Sequence, residues 1–465
     1  MSVAEATPDY EVGTHDDRAF LGHPKGLGYL GFTEACERFS YYSMQTLLIL
    51  YMVNYLLVPG RIEHVVGLDW LNAHVYPGLS GQPLASAIFG TYTALVYLTP
   101  IAGGIIADKW LGRNRTLIMG GVLMAIGHFL MAIQPAFLLA LLALLLGVGA
   151  FKGNIATQVG ALYGPNDLRR AMAFQIFYIF INVSVIAAPL ISGTLGQKVG
   201  WHYGFGCAGV VMVLGLLLYL SGRKYLPAEE LKSPSEEPAL REPLTKDDWI
   251  CVVYLLILIP VLAISLLTNQ EIFNAYLVWG DKQFDLTLLN HTSTWLITVD
   301  ATVSFAMLVA VAAFWKWWSI NHLEPDEISK MIIGSVFTVA GGLCLFMAAL
   351  TQPAGGKISL FWPMMFELCN SIGFAHVLPI SLALFSKISP KQITSTVIGL
   401  YYLSFFIANA VVGYVGGLYS SLPTTTFWLI HVASAAFGLV AFIIFKIAIG
   451  HRMQSTAEDQ ARVLS

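Results

Sequence analysis

Twelve apolar stretches, each about as long as a bilayer is thick, account for most of this chain. They run over residues 26–57, 84–107, 114–134, 136–163, 168–195, 201–222, 248–279, 292–318, 328–350, 357–386, 391–421 and 424–448. A helix needs about 20 apolar residues to cross the hydrocarbon core. Only helices and closed barrels satisfy their backbone polar groups there. The pattern therefore predicts an all-α polytopic membrane protein in contact with the lipid bilayer. Composition agrees: 56% of the 465 residues are hydrophobic and 11% are charged, against about 25% charged in soluble domains. The chain offers no basic face outside short loops, which argues against nucleic acid as a partner.

A charged, Pro-rich segment, residues 223–247, interrupts this series in the middle. It divides the chain into a tail (1–25), a six-helix bundle (26–222), a linker (223–247), a second six-helix bundle (248–448) and a second tail (449–465). Two such halves are expected to face each other across a central cavity. Loops on one side carry Lys109, Arg113, Arg115, Arg169, Arg170, Arg223, Lys224, Lys232, Arg241, Lys246, Lys387 and Lys391. The opposite loops carry Arg61, Lys198, Lys282 and Lys357. The positive-inside rule then places both tails and the linker in the cytoplasm of an inner-membrane protein. Residues 1–25 lack the basic start and apolar core of a cleaved signal peptide. Cys36, Cys207, Cys251, Cys344 and Cys369 all fall in apolar segments without CxxC spacing, so they read as small buried hydrophobes.

Charges inside these segments carry the functional signal. They are Glu34, Glu37, Arg38, Lys152, Glu271, Asp300 and Glu367. Each costs about 2.5–3.5 kcal/mol near a bilayer centre, and those retained usually face a polar pathway. On a helix, Glu34, Glu37, Arg38, Tyr41 and Gln45 share an arc of about 100°, with Tyr42 beside it. Two carboxylates flanking a guanidinium couple titration to ion pairing: protonating one acid frees the arginine for another anion. His376 has the chemistry to join a proton path, whereas His128 reads as a satisfied packing histidine. No nucleophile–base pair or metal-ligand cluster suggests an enzyme, and no cofactor is expected beyond protons as coupling ion.

The run Glu34-Ala-Cys-Glu37-Arg38-Phe39-Ser-Tyr41-Tyr42 resembles the ExxERFxYY motif of the proton-dependent oligopeptide transporters, within the major facilitator superfamily. The segments Tyr97 to Arg113, Gly147 to Thr157 and Phe177 to Asn182 are similar to the family's second-helix, fourth-helix and fifth-helix signatures. The resemblance implies the major facilitator fold: twelve transmembrane helices in two six-helix halves. It also implies that Arg38 and Lys152 bind a peptide carboxylate and that Glu34 and Glu37 take part in proton coupling. Tyr41, Tyr42, Tyr97 and Asn182 would line the peptide site. Asp108 and Arg113 read as a gating latch at helix ends.

The second half departs from the family. Gln45 stands where the family usually has an arginine, and Asn269 where it has an acid before Gln270. The ion pair between halves is thus replaced by two amides able to hydrogen-bond. Asp300 stands at a substrate-contacting asparagine position, and Phe374 at the glutamate that holds the peptide amine. Asp300 is the expected substitute acid, with Glu271, Glu367 and His376 as further candidates for proton or substrate roles. The resulting expectation is a proton-coupled symporter of di- and tripeptides, working by alternating access as a monomer. Its alternatives are a related transporter of an amine-less or non-peptide substrate, and a non-transporting sensor with the same fold.

Overall fold

The computed structural model describes residues 17–164, 167–227 and 244–462. Lys232 and Arg241 of the expected linker, and residues 1–16 of the first tail, lie outside the described residues. The first half contains α1 (Lys25–Tyr51), α2 (Gly81–Ile106), α3 (Arg113–Leu130), α4 (Phe137–Ala161), α5 (Arg169–Ala188) and α6 (Trp201–Gly222). The second contains α7 (Lys246–Ser265), α8 (Trp295–Asn321), α9 (Glu327–Leu350), α10 (Phe361–Ile388), α11 (Leu403–Gly417) and α12 (Thr424–Arg462). Among the described residues, ten helical spans are long and apolar enough to cross a membrane, one of them, Thr396–Ser420, running through α11. The two that are not are α1 and α3. Polar residues from Glu34 to Gln45 dilute the first, and the second opens on Arg113 and Arg115.

Several expected spans are broken. Residues 248–279 do not form one helix: after Ser265 the chain steps through Leu267–Gln270, Glu271–Phe273 and Ala275–Gln283. Asn274, at φ −121° and ψ −111°, leaves helical geometry between the last two. Its side chain replaces the lost helical continuity with hydrogen bonds to neighbouring helices. The eleventh span is likewise split, into Thr394–Tyr401 and α11. A short helix, Leu68–His74, occupies the first long connection. The backbone of α12 continues to Arg462, beyond the bundle's expected end at 448.

Within each half the helices approach closely at small residues, as membrane helices do without a hydrophobic drive between them. A Cβ at Gly103 would lie 2.0 Å from the Gly149 carbonyl oxygen where α2 crosses α4. The same holds between α9 and α10, where a Cβ at Gly373 would lie 2.9 Å from the Gly334 carbonyl oxygen. Large apolar side chains such as Leu139, Leu142 and Leu146 of α4 point outward, spaced to form one lipid-facing stripe.

The halves meet mainly along α2–α11 and α5–α8. We call the end near Lys25 terminal and the opposite end distal. At the distal end, Asp281 accepts from Asn54 Nδ2 (3.1 Å), Gln197 Nε2 (3.2 Å) and Ser293 Oγ (2.7 Å). Trp295 Nε1 donates to Thr194 Oγ1 at 2.8 Å. One hydrophobic core runs through this end and includes Leu47 and Tyr51 of the first half with Trp279, Leu296 and Trp428 of the second. Toward the terminal end the second half has a core of its own, built on Leu258, Met331, Phe385 and Phe442. Among the described residues the halves are thus bonded together distally, while terminally the second half keeps a separate core that Tyr97 of the first half touches.

Candidate functional site

The first-helix stripe forms a compact charge cluster. Arg38 Nε lies 2.9 Å from Glu34 Oε1 and 2.5 Å from Glu37 Oε2. All three side chains are 6% exposed or less. These are ion pairs by distance, but neither contact has hydrogen-bond geometry at Nε. Arg38 Nη2 and Glu34 Oε2 have no hydrogen-bond partner either. Unpaired buried polar atoms are costly, so a cluster left this way is suited to an additional anionic or protic partner. Two of the stripe's tyrosines frame it: Arg38 stands 5.7 Å over the Tyr41 ring, and Tyr41 packs edge-on to Tyr42 at 5.3 Å.

Lys152 of α4, partly exposed, points its Nζ over the Tyr97 ring of α2 at 5.1 Å. It lies within electrostatic reach of Glu34, Glu37 and Arg38. Tyr97 in turn stacks on Phe405 of α11 at 4.9 Å, so this aromatic shelf joins the two halves. Glu34, Glu37, Arg38, Tyr41, Tyr42, Tyr97 and Lys152 are therefore brought together, although they come from three helices.

On the facing half, Asp300 of α8 adjoins Glu367 of α10, with Ser304 at Asp300 and Tyr276 at Glu367. Two carboxyl groups side by side cannot hydrogen-bond unless one holds a proton. Tyr42 is within electrostatic reach of Asp300, which links the two clusters across the interior. Glu271 lies apart from both. It is fully buried at the distal seam, with Oε2 3.5 Å from His431 Nε2 of α12.

Other expected residues occupy less central places. Asn182 donates its amide to the Tyr178 carbonyl of its own helix at 2.8 Å. His376 has both ring nitrogens engaged, with Trp315 Nε1–H at 3.1 Å and the Ile372 carbonyl at 2.8 Å. Asp108 and Arg113 stand 3.8 Å apart around the turn at Gly112.

The structure corrects two expectations. Gln45 and Asn269 do not bridge the halves. Asn269 accepts from Gln270 Nε2 (3.1 Å), Gln270 Oε1 accepts from Asn409 (3.2 Å), and Gln45 Oε1 is unpartnered. The amides are shorter than the charged pair they replace, and Asn269 turns to its chain neighbour instead. His128 packs in the interior, but neither ring nitrogen has a hydrogen-bond partner, so it is not a satisfied histidine.

Sequence reasoning missed Tyr92, which lies within reach of Glu37, and also Tyr276 and His431. His431 had a usable signal: between Thr424 and Phe445 it is the one titratable residue in an otherwise apolar run.

The Major Facilitator Superfamily model matches residues 32–413 of this chain. The chain belongs to the major facilitator superfamily. Among curated relatives of this superfamily member, the peptide transporter YePEPT of Yersinia enterocolitica is 28% identical, over 87% of this chain and 90% of the relative. A di-/tripeptide transporter of Lactococcus lactis subsp. cremoris is 26% identical, over 92% of this chain and 97% of the relative. A crystal structure of a mutant peptide transporter POT in complex with alafosfalin superposes with a TM-score of 0.81 at 25% identity, covering 95% of this chain and 98% of that one. The twelve-helix fold in two six-helix halves is that of these transporters.

Proposed function

We propose that this protein is a proton-coupled symporter that imports di- and tripeptides by alternating access. The observation that carries the reading is the Glu34–Glu37–Arg38 cluster beside Lys152, facing a second acidic cluster at Asp300 and Glu367. A zwitterionic substrate fits between them. Its carboxylate meets Arg38 and Lys152, and its ammonium meets Asp300. Arginine offers a fixed charge with several donors, while a partly buried lysine gains or loses its proton readily. Protonation of Glu34 or Glu37 releases Arg38 from its internal partners, so proton and peptide load together.

The named relatives support this reading, being peptide transporters along nearly their whole length. The Lys/Arg distribution supports a cytoplasmic terminal end in the inner membrane. The arrangement described is then the inward-facing one. Both faces of the interior come from one chain, which suits a monomer. The chemistry asked of the protein is binding and release, with protons as coupling ion and no bond made or broken.

Reconstitution tests it. Liposomes holding the protein should accumulate labelled dipeptide under an inward proton gradient and release it when the gradient is collapsed. Equal uptake with and without the gradient would overturn proton coupling. No competition by any di- or tripeptide would overturn the substrate assignment.

A further inference from the structure

Glu271 and His431 form a pair that the peptide site does not use. Both are fully buried. His431 Nδ1 lies 3.0 Å from the Phe427 carbonyl oxygen, one turn earlier in α12. A carbonyl only accepts, so Nδ1 holds a hydrogen. Nε2 then faces Glu271 Oε2 at 3.5 Å. A bare nitrogen lone pair against a bare carboxylate oxygen is repulsive, and away from water nothing screens it. A proton on either atom makes the contact favourable and the pair neutral overall.

This pair is tied to the distal seam. Glu271 Oε1 accepts from the Ala275 N–H at 3.1 Å. Asn274, on the same broken segment, accepts from Ser86 Oγ of α2 at 2.8 Å and donates to the Val412 carbonyl of α11 at 3.2 Å. Gln82 of α2 donates to Ser86 Oγ and to the Gly416 carbonyl, both at 2.8 Å. Gly416 leaves the room required: a Cβ there would lie 2.1 Å from Asn274 Nδ2 and 2.7 Å from Glu271 Oε1. Of the elements packed here, α2 presents the uncharged Gln82 and Ser86, and Tyr419 after α11 meets Phe427 edge-on. Tyr276 packs against Trp428, which packs against His431, and Glu367 of α10 adjoins Tyr276.

We propose that Glu271 and His431 are a second proton-binding site, separate from the first-helix cluster, and that loading it fastens the distal seam. With the proton in place, the neutral pair lets Asn274 hold α2 and α11 together. Without it, Glu271 is a bare charge seeking donors beyond the Ala275 N–H, and the Asn274 amide borders the same point at Gly416. Drawing that amide away breaks the Ser86 and Val412 links and opens the seam to the distal side, where a new proton enters. This rests on the proton-coupled reading above, but its test needs no substrate.

Spin labels at Val66 and Leu288, in exposed distal loops of the two halves, report the seam in nanodiscs on a background without native cysteines. The wild-type distance should lengthen as the buffer pH is raised from about 5 to about 9. Glu271→Gln, which mimics the protonated acid, should keep the short distance throughout. His431→Gln, which leaves one titrating group, should move the midpoint while keeping a transition. A Glu271→Gln protein that opens with pH like wild type overturns the proposal, as does a wild-type distance that ignores pH. Failure of dipeptide uptake with the pH response intact would count against the peptide assignment alone.

Discussion

Gly90 of α2 and Gly413 of α11 meet backbone to backbone, and a Cβ added at Gly90 would lie 2.3 Å from Gly413 Cα and 2.7 Å from the Asn409 carbonyl oxygen. The contact belongs to the sealed distal seam. Gly90→Ala should therefore weaken that conformation by about 1–3 kcal/mol, the usual cost of overpacking. The measurable outcome is faster amide exchange in residues 81–90 and 412–417, with slower peptide accumulation. Unchanged exchange in both segments would show that the seam tolerates the methyl group.

Lys152→Ala should abolish gradient-driven uptake. The substitution removes the cation that shares a site with Arg38 and leaves the Tyr97 ring with no cation over it. Ordinary accumulation by the variant in liposomes would take Lys152 out of the transport cycle.

Glu34→Gln and Glu37→Gln keep the shape of the cluster but cannot titrate. Each should lose accumulation against a gradient while retaining counterflow, in which labelled and unlabelled peptide exchange without net proton movement. The check is the ratio of the two assays in the same preparation. If both variants concentrate substrate as wild type does, protons couple elsewhere.

Asp300→Asn should lower preference for a free amino terminus by roughly 1.5–3 kcal/mol, the value of one charge-assisted hydrogen bond. Competition between a dipeptide and its N-acetylated form reads this directly. Because Glu367 adjoins Asp300, Glu367→Gln belongs in the same experiment. A loss of selectivity only in the latter would move the amine contact to α10.

Asp326 caps α9, accepting from the Ser329 N–H at 3.1 Å, and Lys446 of α12 lies 3.4 Å away. Asp326→Ala should destabilise the second half by about 1 kcal/mol, whereas Asp326→Asn, also a good cap, should lose less. Thermal unfolding in detergent would rank the three proteins, and transport per folded molecule should be unchanged.

The fold was largely legible in the chain because bilayer length and apolar runs are one-dimensional signals. So was the first-half site: Glu34, Glu37, Arg38, Tyr41 and Tyr42 share one helix, whose periodicity alone aligns them. Lys152 stood out as a charge inside an apolar span, and its role, like that of Tyr97, came from motif resemblance. What could not be read were contacts between distant segments that follow neither periodicity nor motif. Glu367 was visible as a charge, but its pairing with Asp300 depends on how α8 crosses α10. His431 was missed because its partner Glu271 reaches α12 only through the break after Ser265. The Gln45–Asn269 bridge failed for the converse reason: sequence showed matched losses, but not that Asn269 would turn to Gln270 beside it.

The bonds converging on Asp281 set a ceiling as well as a floor on how well this machine works. A two-position device turns over fastest when neither position is much deeper than the other, since each surplus 1.4 kcal/mol on one side leaves tenfold fewer molecules in the other. Every donor gathered at the distal end has to be matched, in the opposite posture, by contacts at the end now divided. Strengthening the clasp at Asp281 would give a tougher protein and a slower one.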